Sequence, residues 1–486
     1  MPLRFLSQLS KATIAIPIPS FKTLTLTSIP EELLLHIAFH LDEPELYLLG
    51  QVSDGFGRIT TEEISRRLRI DEVRWGGVAL PDAWSMITQQ PDLAKKVREL
   101  EINVEYIDRP YGFFSDVVDD FKIPYHLGQT WNREGSQKSS IELSGVMIMM
   151  MSGLKHLCLV PNSVLSWTPY RPAFGGDPLL RLFGCDPITG DILQVPGLQQ
   201  LRSLSLSHVR VSWPWFTLPK LRDVYIDAKP GDINKDNKPF EKSNVTTLGL
   251  RLCDHMLGAG ESYLQIYQDF LRHFARLGEL SITVGVDQRG SSLGPSDWSY
   301  LIGTLSFLGP TLETLRIREE EAVLSSRDAW IEGTDYHQCF LGFHRLRLLA
   351  LPQHMLLGGN YQGARGKPLR MKLPASIEVL EIWHPTNYIT AWLTDLWHEL
   401  ASFPNLSMVK LRCGMYQYGP GVSSWTLMRT DELSALRRAF LDEGVVVEPV
   451  EGREPFNEDW LDPAYDPESG LLVTWLEELF PNAIDA

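Results

Sequence analysis

Ten copies of one short apolar pattern, spread over residues 97–411, restrict this 486-residue chain more than any other feature. The pattern is h-x-x-h-x-h, with h aliphatic. It starts at Val97, Leu154, Leu201, Leu221, Val245, Leu277, Leu312, Leu346, Ile377 and Leu406. An approach residue followed by two apolar residues at period two describes a short strand with one buried side. Successive starts lie 57, 47, 20, 24, 32, 35, 34, 31 and 29 residues apart. Several intervals carry apolar residues at helical spacing: Tyr263, Ile266, Tyr267, Phe270 and Phe274; Leu301, Leu305 and Leu308; Trp392, Leu396 and Leu400. Leu433, Leu436 and Phe440 follow, and Val445–Val447 supplies one more strand. Units of this size cannot bury a face alone, so they must stack. The fold class expected is α/β: an irregular solenoid with parallel strands inside and helices outside.

Composition narrows the function. The formal charge is −16, and 44% of residues are hydrophobic. That apolar share supports a core and excludes wholesale disorder. An acidic chain repels phosphate backbones, so no nucleic-acid partner is expected. The five cysteines, Cys158, Cys185, Cys253, Cys339 and Cys413, form no CxxC pair, which fits reduced thiols in cytosol or nucleus. The densest apolar run, Val146–Met151, falls far short of the roughly 20 residues of a membrane span. Residues 1–27 hold Arg4, Lys11 and Lys22 and no acid, a composition like a transit peptide's. Pro17 and Pro19 would break its helix, so the segment reads as a flexible leader.

Residues 28–70 read as a helical module. Ser28-Ile29-Pro30-Glu31 has the form of a capping box, with Pro30 in the first turn. Leu33, Leu34, Ile37, Ala38 and Leu41 recur at helical spacing, and Asp42 with Pro44 starts a second helix carrying Leu46, Leu49 and Val52. Gly55 and Gly57 then loosen the chain before a third helix opening at Thr60-Thr61-Glu62-Glu63. About forty residues are too few for a self-sufficient core, so the module completes itself against a neighbour or a partner. Ile29-Pro30-Glu31-Glu32-Leu33, the spacing of Ile37, Leu41, Leu46 and Leu49, and Val52-Ser53 with Phe56 resemble an F-box. Asp54 departs from the basic residue or cysteine common there, and Ile29 replaces a leucine. The repeat behind it is similar to the leucine-rich-repeat class. Only Asn162 and Cys253 fill the Asn/Cys place of that class, however, and most intervals exceed its roughly 20–29 residues. The resemblance implies a non-catalytic, substrate-recognition adaptor of an SCF-type ubiquitin ligase. Its Skp-type adaptor, and through it a cullin–RING ligase, would dock on Pro30, Leu33, Leu34, Ile37, Leu41, Leu46 and Leu49. The alternative is a protein-interaction scaffold outside any ligase.

Motifs for chemistry lack their context. Gly290-Ser291-Ser292-Leu293-Gly294 matches a nucleophile elbow, but Asp287-Gln288-Arg289 parts it from the strand and Pro295 follows. His36 and His40 stand four apart on a helix with no further ligand set. His398-Glu399 lacks the second histidine of HExxH. No catalytic residue, metal site or cofactor is expected.

Recognition of an unknown protein substrate then falls to the open side of the strands, since residues between the buried positions face away from the core. Tyr225, Arg251, Arg316, Arg318, Trp383 and Arg412 are the substrate-binding candidates, because aromatics and Arg dominate hot spots. The organisation expected is a leader (1–27), the F-box-like module (28–70), a linker helix region (71–96), the solenoid (97–448) and an acidic-aromatic tail or cap (449–486). From Glu448 to Glu468 eight acids face one base, Arg453, with Trp460, Tyr465 and Trp475 interleaved or following. Insertions are expected in the first two long intervals, around Asp116–Asp120, Asn132–Ser140 and Pro169–Pro187.

Overall fold

The computed structural model describes residues 29–41, 43–70, 79–89, 91–103, 140–160, 182–183, 191–207, 211–227, 233, 243–253, 261–285, 295–319, 340–357, 373–385, 389–413, 417–418, 422–423 and 431–451. The leader, Ser28, the Ser292 motif, most of the expected insertions and the tail beyond Glu451 lie outside the described residues. The chain forms two compact units, Met1–Arg67 and Leu68–Ala486.

Among the described residues the first unit holds three helices: α1 (Glu31–Phe39), α2 (Glu43–Gly50) and α3 (Asp54–Arg66). Both α1 and α2 pack on α3. Their shared core is small: Leu34, Ala38, Leu46, Phe56 and Ile59 are buried, with Ile29, Leu35, Leu41, Leu49 and Ile64 packed around them. The third helix starts six residues earlier than the sequence suggested. Ser53 is its N-cap and accepts from the Phe56 N–H at 3.4 Å, so Gly55 and Gly57 lie in its first turn rather than in a loop. Pro30 is the N-cap residue of α1, and the Glu31 carboxylate accepts from Arg58 at 2.6 Å.

The second unit is built on an all-parallel sheet of twelve strands. The first are β1 (Arg67–Ile70), β2 (Glu99–Asn103), β3 (His156–Val160), β4 (Ser203–Ser207), β5 (Asp223–Asp227) and β6 (Thr247–Cys253). Then come β7 (Glu279–Gly285), β8 (Thr314–Glu319), β9 (Leu348–Pro352), β10 (Val379–Trp383) and β11 (Met408–Cys413). A small antiparallel hairpin of β12 (Gln417–Tyr418) and β13 (Val422–Ser423) precedes β14 (Val446–Glu451), which closes the sheet. Each strand lies beside its sequence neighbour, so the sheet grows along one axis, as a stacked repeat must. From β2 to β11 every strand begins two residues after the first apolar residue of its repeat.

Register explains the pattern. The second apolar positions align as one row, from Leu100 through Leu157, Leu204, Val224, Leu248 and Leu280 to Leu315, Leu349, Leu380, Val409 and Val447. The third positions make a parallel row from Ile102 to Leu411. Both rows and the approach residues are buried in one continuous core. The helices fill the other half of that core: α4 (Leu80–Gln89), α5 (Pro91–Lys96), α6 (Ser140–Met150), α7 (Glu261–Leu271) and α8 (Pro295–Leu305). Later come α9 (Gln353–Leu357), α10 (Ile389–His398) and α11 (Asp431–Asp442). All therefore pack on one face, and the intervening strand residues form the opposite one. Where the interval shrinks to 20 residues, between β4 and β5, a 3-10 turn (Trp213–Thr217) stands on the helix side. Its bulk replaces a helix: Trp215 and Phe216 are buried, and Trp213 packs 5.1 Å from the Phe270 ring of α7.

Candidate functional site

Along each strand the residues at the first, third and fifth positions face away from the helices, and the register aligns them across the sheet. Tyr225 falls in the third row between Ser205 and Gly249. A Cβ on Gly249 would stand 2.6 Å from Tyr225 Cδ2, so the ring occupies the space that glycine leaves open. Arg251, one strand on, binds Asp227 at 2.8 Å, an acid buried at the end of β5. Arg316 pairs with Glu279 of the adjacent strand.

Three of the six candidates meet at one place. The Arg318 guanidinium lies 4.2 Å from the centre of the Trp383 ring, and Arg412 lies 5.5 Å from the same ring. Arg412 also donates to Glu381 through Nε at 2.8 Å. Trp383 is 7% exposed and Arg412 3%, so this cluster is recessed rather than presented at the surface. Cation–π stacking and a desolvated ion pair lock these side chains into one geometry. Tyr225, Arg251 and Arg316 are half-buried and keep solvent contact. The face thus has an open stretch across β5–β8 and a sealed polar knot across β8–β11. Alternation in the sequence identified the face but could not separate these two, since it says nothing of what lies over a strand's outer side.

No family model and no curated protein matches the chain.

In the first unit the seven adaptor-docking candidates divide. Leu34 and Leu46 are buried in the unit's own core, and Leu41 and Leu49 pack against it. Pro30, Leu33 and Ile37 are exposed. Leu48 and Val52, absent from that set, are more exposed still, at 62% and 60%. Leu33 and Ile37 are an i,i+4 apolar pair on α1, whereas Leu48 stands near the end of α2 and Val52 in the turn that follows it. Four of the nine exposed large apolar side chains among the described residues therefore crowd into twenty positions of this small unit. The periodicity that groups Leu46, Leu49 and Val52 carries no signal for Leu48. His36 and His40 stack edge to face, 5.0 Å apart.

Among the described residues no three His, Cys, Asp or Glu side chains cluster as metal ligands. Cys158 is buried, and burial, with the Glu101 carboxylate adding to it, pushes its thiol up to about 12, far from a nucleophile's range. Among the described residues no helix is long and apolar enough to cross a membrane.

Proposed function

We propose that this chain is a non-catalytic substrate-recognition adaptor of an SCF-type ubiquitin ligase, acting in cytoplasm and/or nucleus. In this reading the first unit is an F-box and the second an irregular leucine-rich-repeat solenoid. The observation that carries it is the set of exposed apolar side chains Leu33, Ile37, Leu48 and Val52 on a small helical unit whose apolar core, among the described residues, has five buried side chains. Exposed apolar residues so concentrated in one small unit support a protein-docking role. Leu33 and Ile37, with Pro30 at the helix start, would contact the Skp-type adaptor, while Leu34 and Leu46 would hold the helices in place beneath them. A target protein would bind the open stretch of the sheet face around Tyr225, Arg251 and Arg316. The contribution to ubiquitination is effective concentration, since a held target presents its lysines to the conjugating enzyme repeatedly. The test is co-purification from cells. The intact chain should bring down the Skp-type adaptor and a cullin, and Leu33→Asp with Ile37→Asp should release both while leaving the helical content unchanged. Recovery of the adaptor at equal yield with that double variant would remove the proposal.

A further inference from the structure

The residue just before each strand forms its own row along the amino edge of the sheet. Backbone hydrogen bonds run from Lys155 N to Arg98 O (2.7 Å), Arg202 N to Lys155 O (2.7 Å) and Arg222 N to Arg202 O (2.8 Å). Neighbouring strands are about 4.8 Å apart, so four cationic residues stand one per strand at that interval. Lys95 joins them from α5. Together Lys95, Arg98, Lys155 and Arg202, with Ser152, Gly153 and Gln200, line a cleft of about 400 Å³. Arg98 forms its floor, donating to Gly153 O at 2.8 Å. A Cβ on Gly153 would fall 1.6 Å from Arg98 Nη1, so the arginine lies across a gap that glycine leaves. Lys95 pairs with Asp92 at 2.8 Å. Lys155 and Arg202 have no acidic partner among the described residues. Beside them the His156 imidazole is held below its ordinary value, by burial first and then by Lys155 and Arg202.

We infer that this cleft binds a compact, soluble molecule carrying several phosphate groups. Four cations converge with a hydroxyl and an amide, and no carboxylate enters the lining. A peptide partner would want an apolar or aromatic anchor, and the lining has none. A nucleic acid would want stacking rings, also missing, and its length would bring it against the rest of a chain of net charge −16. A small polyanion keeps its charge within the screening distance of roughly 8 Å and feels mainly the local cations. The inference does not depend on the adaptor-docking or target-binding readings.

Isothermal titration of the full chain with inorganic tripolyphosphate at physiological salt tests the inference. One saturable site per chain is expected. Lys155→Glu with Arg202→Glu should weaken it by roughly tenfold or more, while Arg345→Glu, a charge reversal elsewhere, should leave it unchanged. If the double variant loses its circular-dichroism spectrum, Lys155→Gln and Arg202→Gln singly replace it, each expected to weaken binding several-fold. Equal binding by wild type and variants overturns the site. Tighter binding of a single-stranded RNA, an acidic peptide or anionic phospholipid vesicles overturns the assignment to a small polyphosphate.

Discussion

Glu381 and Arg412 show what a charge pair costs and supplies when water is excluded. Their side chains are 2% and 4% exposed, and the two donor contacts from Arg412 measure 2.8 and 3.5 Å. Removing one partner strands the other charge, so Glu381→Leu should destabilise the second unit by about 3–5 kcal/mol. Adding Arg412→Met should restore much of that loss, which urea denaturation of the three proteins would measure. His156 gives a pH dependence with a definite sign. Its imidazole is held below 6.5, so the unfolded chain takes up the proton first as pH falls. The contribution is present above about 6.5 and is lost as pH drops through the folded value. Denaturation midpoints should therefore fall more steeply below pH 6.5 in the wild type than in His156→Gln.

At the level of elements, the sheet is carried by its two apolar rows. Leu280 lies in the middle of one, fully buried between β6 and β8. Leu280→Ala should cost about 2–5 kcal/mol, whereas Leu193→Ala, at a side chain 46% exposed, should stay within about 0.5 kcal/mol. Both are read from urea midpoints. The helical unit offers the matching contrast between adjacent leucines. Leu34→Asp puts a charge into its small apolar core and should abolish its helical signal, while Leu33→Asp should leave it intact. The strands were legible because the offset from Val97 to Leu100 and Ile102 recurs unchanged down to Leu406, Val409 and Leu411. The start of α3 was not. Two glycines read as breakers, but the Ser53 cap and the burial of Phe56 and Ile59 outweigh their cost. Nor was the seclusion of Trp383, since its neighbours Arg318 and Arg412 come from strands far away in sequence.

Over the whole molecule, charge is segregated rather than blended. A chain of net charge −16 keeps Arg98, Lys155, Arg202 and Arg222 in one edge row, and its polar sheet face has an open stretch and a sealed one. That edge row was written in the sequence as the residue following each aliphatic approach residue, but periodicity weighs apolar positions and passes over it. The proposed division of labour assigns adaptor docking to the first unit and target binding to the second. The most direct measurement is calorimetric titration of a purified Skp-type adaptor with the full chain. Saturable one-to-one binding, lost on Leu33→Asp with Ile37→Asp but kept on Tyr225→Ala, is the predicted result. No binding by the intact, folded chain would contradict it.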